Sequence, residues 1–262
     1  MTGGTQTILV TGATGGIGTA VCRQLARSGY LLVLAARNEA KLKSLSDELD
    51  GTDRHVWLPL EMTSDQSIRQ FGEQLAARHI TLDGVVLMPP QAHSTNDPMP
   101  GSEAWRVLFQ NCFIGPLEVL KAAIERMNPD PIGGRRAKIV IISGISSAQV
   151  LGHYATSNVM RCAWIGEAKT LAFALGSRGI HVNTLSLGGT LSPWYREGIE
   201  RRADAAGVTF EQRLAEETTN VPLGKYGEPE EVAIAVEGLL SRFSDHMTGL
   251  NIMHDGGFTR SY

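Results

Sequence analysis

The sequence predicts an α/β protein: a doubly wound parallel sheet of about seven strands with helices on both faces. Two patterns carry this expectation. Short continuous runs of Val, Ile and Leu recur along the 262 residues, alternating with stretches of helical period. Runs that are apolar throughout suit strands covered on both faces, which is the setting of a parallel sheet. A glycine cluster between the first run and the first helical stretch marks a tight strand-to-helix turn of the same arrangement.

In chain order, strands are expected at Thr7–Val10, Leu31–Ala35, His55–Leu58, Gly84–Met88, Lys138–Ile142, His181–Leu185 and Leu250–Met253. Helices are expected at Ile17–Ser28, Glu39–Leu49, Ser64–Arg78, Ser102–Met127, Ala155–Leu175 and Glu228–Leu240. Two stretches interrupt the alternation. Met88–Gly101 carries four prolines and is expected to be irregular. Gly188–Val221, rich in Arg and Glu, follows a strand's carboxyl end, where such sheets bind ligands. It reads as a substrate lid at about 189–221, or else as an oligomer-packing segment. No repeat or low-complexity tract divides the chain, and Gly133–Arg136 is too brief for a linker. Residues 1–262 therefore read as a single domain.

A hydrophobic share of 42% allows a sizeable core, and the net charge of −3 provides no field to attract nucleic acid or anionic lipid. Arg135-Arg136 is too short to count as a basic tract. No apolar run reaches about 18 residues, and the N-terminus leads straight into a strand, so a cytoplasmic protein without membrane contact is expected. Cys22, Cys112 and Cys162 are odd in number and widely spaced, which fits core thiols and no metal site.

The chemistry begins at Thr11-Gly12-Ala13-Thr14-Gly15-Gly16-Ile17-Gly18. Gly12 lets the chain turn off the strand, Gly16 lets a diphosphate approach the backbone, and Gly18 lets helix and sheet pack closely. The phosphates would meet free N–H groups at the positive end of the helix. The second strand ends Ala35-Ala36-Arg37-Asn38, without the acid that holds a ribose 2′-hydroxyl. Arg37 can instead pair with a 2′-phosphate, which favours NADP(H) over NAD(H).

These residues resemble the short-chain dehydrogenase/reductase family, a Rossmann fold, over nearly the whole chain. Thr11–Gly18 is similar to its TGxxxGxG turn, and Glu61 to the acidic residue it places beside adenine. Asn111 matches its helix-four asparagine, and His181-Val182-Asn183 with Gly188 resembles its segment beside the nicotinamide. Pro222-Leu223-Gly224, Glu228–Val232, Thr248-Gly249 and Asp255-Gly256-Gly257 look like its C-terminal signature. The resemblance implies a homo-oligomer, and a small carbonyl or alcohol as substrate.

In that family a Tyr and a Lys four residues later share one helix face. Here the pair is Tyr154 and Asn158. An amide can bond a ribose hydroxyl but brings no charge to stabilise phenolate. The family's catalytic serine falls on Gly144, leaving Ser143 or Ser146 to position a carbonyl, or simply to cap the turn. Its NNAG is replaced by Leu87-Met88-Pro89-Pro90, and Leu187 replaces the proline of its PG turn. Arg161 lies seven residues after Tyr154, about 20° from the same helical face. That spacing resembles the Tyr-x6-Lys pair of the enoyl reductases. Arg161 is then a charge for the ribose or for Tyr154, or a packing residue.

Two functions follow. The first is an NADP(H)-dependent oxidoreductase moving hydride to or from a carbonyl or alcohol, similar to a 3-oxoacyl reductase. The second is a nucleotide-binding sensor or scaffold with little turnover.

Overall fold

The computed structural model describes residues 5–49, 54–91 and 95–261; residues 92–94 of the proline-bearing segment lie outside them. All seven expected strands are present: β1 (Thr7–Thr11), β2 (Leu31–Ala36), β3 (Val56–Pro59), β4 (Gly84–Leu87), β5 (Ala137–Gly144), β6 (Ile180–Leu187) and β7 (Asn251–His254). They form one parallel sheet in the order β3-β2-β1-β4-β5-β6-β7. The order reverses between β1 and β4, so a crevice opens beyond the carboxyl ends of these central strands.

Alternate strand residues feed two apolar layers. Ile8, Val10, Leu32, Leu34, Val86 and Val140 face α1 (Gly16–Arg27) and α9 (Pro229–Leu240), whose Val21, Leu25, Val232 and Val236 complete that layer. Leu9, Val33, Val85, Ile139 and Ile141 face the opposite layer, with Phe71 of α3 (Asp65–Ala77), Leu120 of α5 (Gly115–Ile124) and Trp164 of α6 (Ala155–Leu175). Both faces are covered, which is why the strands are apolar without alternation. Each such fully buried aliphatic or aromatic side chain contributes about 1.5–3 kcal/mol. The remaining helix of this frame is α2 (Glu39–Glu48), N-capped by the Asn38 side chain.

One expectation needs correction. Ser102–Met127 is not one regular helix: α4 (Ser102–Phe109) joins α5 through a π-turn at Gln110–Ile114. Pro116 has no N–H to donate to the Cys112 carbonyl four residues back, and that carbonyl accepts the Trp164 indole N–H instead, at 2.9 Å. Within the continuous stretch Ser102–Ile124 an 18-residue window has a mean hydropathy of 1.3, so by length and composition alone the stretch could cross a membrane. Here Val119, Leu120 and Ala123 are packed in the core.

Gly188–Val221 has weak apolar patterning in the sequence. Most of it folds into α7 (Pro193–Ala206) and α8 (Phe210–Glu217). Caps set both starts: Ser192 Oγ accepts the Tyr195 N–H, and Thr209 with Gln212 forms a capping box. The charges resolve into a clamp in which Glu217 accepts Arg202 Nε at 2.7 Å and Arg213 Nε at 2.8 Å.

Candidate active site

The glycine turn follows β1 and opens α1 as expected. Gly12 has φ +63°, a conformation that favours glycine, and a β-carbon on Gly18 would run into the Gly12 carbonyl oxygen. The α1 N-terminus has no side-chain cap and no acidic residue in its first turn. By contrast α2, α3 and α8 are each capped and each carry an acid there. The first-turn N–H groups of α1 thus lack a side-chain partner and suit an anion. Thr14 and Ile17 are partly buried, and Ile17 packs against the α1–α9 layer.

Gly16 differs from the expectation of an open approach. A β-carbon there would stand 2.6 Å from Pro193 Cδ and 3.0 Å from Ser192 Cβ, so the start of α7 lies against the phosphate turn. Beyond the turn, Arg37 extends from the end of β2 with 79% of its side chain exposed, and its Nε is 3.7 Å from Glu61 Oε2. Glu61 is also held by Thr63, whose hydroxyl donates to Oε1 at 2.9 Å. Gly188 packs tightly: its N–H donates to the His254 carbonyl, and a β-carbon would meet Asp255 at 2.8 Å.

The second half of the site is a recess at the ends of β4 and β5, lined by Pro89, Pro90, Gln91, Ser143, Ser157 and Arg161, among others. Helix α6 presents Ser157, Met160, Trp164, Ala168 and Ala172 to the interior, and Ser157 and Arg161 line the recess one turn apart. Arg161 Nη1 donates to Ser146 Oγ at 2.9 Å and Nη2 to Gln91 Oε1 at 3.2 Å. Its guanidinium carbon lies 5.2 Å from the centroid of the Tyr154 ring. Burial holds Arg161 below the usual guanidinium range, while Tyr154 acts in the opposite direction. The guanidinium nonetheless stays charged at neutral pH.

Of the residues expected to act together, the structure gathers Tyr154, Arg161, Ser146 and Ser143. Ser146 is 2% exposed, and Ser143 Oγ is buried without a hydrogen-bond partner. Asn158 stands apart: its Nδ2 donates to the Leu151 carbonyl at 3.1 Å, closing the loop before α6. Tyr154 itself is the residue before the helix, with φ −121° and ψ 37°, so helical spacing from it does not fix which side chains it meets. Asn111 lies within the π-turn, and it is its neighbour Cys112 that lines the recess.

Sequence reasoning missed Gln91, Ser157 and the Ser192–Pro193 corner. The apolar stripe from Met160 through Ala172 was the available signal for Ser157, since it fixes the inward face of α6. Gln91 follows two prolines on an irregular segment, and no periodicity marks it.

Residues 12–259 match the family model described as "Enoyl-(Acyl carrier protein) reductase". The chain is similar to the diacetyl reductase [(S)-acetoin forming] of Staphylococcus epidermidis, 30% identical over 96% of this chain and 98% of that one. It is also similar to the L-fucose dehydrogenase of Mus musculus, 28% identical over 98% of this chain and 89% of that one. Among solved structures, its fold matches an NADPH-bound short chain oxidoreductase of Pseudomonas aeruginosa PAO1, described as containing an atypical catalytic center. There the TM-score is 0.84 at 24% identity, over 98% of each chain.

Proposed function

The chain belongs to the short-chain dehydrogenase/reductase family, through the branch whose model is described as enoyl-(acyl carrier protein) reductase, and on that premise we propose an NADP(H)-dependent oxidoreductase acting on a carbonyl or alcohol. The observation that carries this reading is the charge of Arg161 beside the ring of Tyr154. Two further features support it. The α1 N-terminus offers N–H groups without a side-chain cap or a local acid, and Arg37 is exposed where a 2′-phosphate would lie.

A nicotinamide held at this turn would supply or accept the hydride. In the reductive direction Tyr154, as a neutral phenol, donates a proton to the substrate oxygen. Arg161 supplies a positive charge over the Tyr154 ring, 5.2 Å from its centroid. It acts as a fixed charge and never as a proton relay. Ser146 positions the guanidinium by accepting from Nη1. Residues 189–221 form the lid, and its Ser192–Pro193 corner lifts from Gly16 to admit the diphosphate. A homo-oligomer in the cytoplasm fits the family, and its substrate is a small molecule.

The reading is tested by NADPH oxidation with a panel of carbonyl compounds, comparing the unaltered chain with Tyr154→Phe and Arg161→Met. Both substitutions are expected to lower turnover at least a hundredfold. Unchanged turnover in both would remove these residues from the reaction.

A further inference from the structure

Arg161 is an incomplete ion pair. Among the described residues no carboxylate lies within ion-pairing distance of it. Its hydrogen-bond partners, Ser146 Oγ and Gln91 Oε1, are both neutral. A half-buried cation without a counter-charge is costly, so its place in a recess calls for an explanation in terms of what enters.

The geometry identifies what is missing. An arginine presents Nε and Nη2 as a side-on fork that matches the two oxygens of a carboxylate. The chain uses that fork at Arg202, where Nε reaches Glu217 Oε1 at 2.7 Å and Nη2 reaches Oε2 at 2.9 Å. At Arg161 the same fork is half filled. Nη2 holds one amide oxygen at 3.2 Å, and Nε is buried with no hydrogen-bond partner. Ser143 Oγ, 7% exposed and also unpartnered, lines the same recess.

We propose that the Nε–Nη2 fork of Arg161, with the hydroxyl of Ser143, is the site for a substrate carboxylate, so that the substrate is a short oxo acid or hydroxy acid. This rests on the oxidoreductase reading and names its substrate class. Gln91 is the exposed latch of that site. Its side-chain oxygen stands in for one carboxylate oxygen and is displaced when the acid binds; in the structure its Nε2 donates to the Pro89 carbonyl at 3.2 Å. The Tyr154 ring lies beside the same guanidinium, its centroid 5.2 Å from the guanidinium carbon.

The test is calorimetric titration of the protein saturated with NADP+, using 2-oxobutanoate and acetoacetate, each against its methyl ester. A separate NADP+ titration reports on cofactor binding alone, so failure of the oxidoreductase reading is seen independently. The unaltered protein is expected to bind at least one acid at least tenfold more tightly than its ester. Arg161→Gln is expected to abolish that preference with NADP+ affinity retained, and Ser143→Ala to weaken the acid but not the ester. Gln91→Ala removes the competing acceptor and is expected to tighten acid binding about threefold, a gain that a merely structural glutamine would not give. Equal affinity for acid and ester in the unaltered protein would overturn the proposal. So would Arg161→Gln keeping the preference while losing NADP+, which would assign the fork to the cofactor.

Discussion

The guanidinium carbon of Arg161 lies 2.5 Å from the point where a β-carbon on Gly144 would stand. By the family resemblance the catalytic serine is expected at Gly144, and the lack of a side chain there leaves room for the Arg161 head. The Arg161 head, from α6, fills the space that a side chain at Gly144 would take. A second buried group cannot share that volume without displacing the first.

Gly144→Ala is therefore expected to push the Arg161 head away from Ser146 and Tyr154. The strand backbone at Gly144, φ −141° and ψ 159°, accepts alanine, and the obstructing atoms end a flexible side chain. Stability is expected to fall by less than about 1 kcal/mol, while turnover falls at least tenfold. Equal turnover with an unchanged melting temperature would show that the contact has no part in the reaction.

The proposed preference for NADP(H) rests on Arg37. Its side chain is 79% exposed, and among the described residues its ion-pair contact is with Glu61, 3.7 Å from Nε, so it can turn toward a phosphate. Arg37→Asp replaces attraction with repulsion, and the ratio of NADPH to NADH affinity is expected to drop about tenfold or more. Fluorescence titration of both nucleotides reads this directly. An unaltered ratio would exclude Arg37 as the selector.

The α7–α8 clamp has a pH signature. The hydrogen bond from Arg202 is the leading cause that holds the Glu217 carboxyl below the usual carboxylate range; burial opposes it and Arg213 reinforces it. Its folded pKa lies below the unfolded value of about 4.3. The stabilisation is thus fully present above that value and is lost as pH falls through the folded pKa. Glu217→Gln is expected to cost about 1–2 kcal/mol at neutral pH and to flatten the acid limb of the urea-midpoint profile. Identical acid limbs in the two proteins would contradict the clamp.

The sheet was legible in the sequence because burial on both faces leaves a one-line signature: Ile8-Leu9-Val10 and Ile139-Val140-Ile141 can only be continuously apolar if both sides are covered. The glycine turn was legible for a similar reason, since Gly12 and Gly18 answer local backbone demands. The π-turn was not, because the Cys112 carbonyl freed by Pro116 finds its donor on Trp164, fifty-two residues away. In the site, family spacing pointed to Tyr154 and Asn158, yet α6 begins only at Ala155 and Asn158 turns back to Leu151. The reach of Arg161 past Gly144 was also hidden, because a missing side chain leaves no periodicity behind. Likewise, the charges of Gly188–Val221 conceal two helices whose order comes from caps and arginine forks around Glu217.

The most direct measurement is a calorimetric titration of the purified chain with NADPH and with NADH. The account predicts that NADPH binds and binds more tightly, with its diphosphate at the first turn of α1 beneath the lifted corner of α7. Heat from neither nucleotide would mean that Pro193 and Ser192 keep that turn closed, and the chain would then have no cofactor with which to perform the proposed reaction.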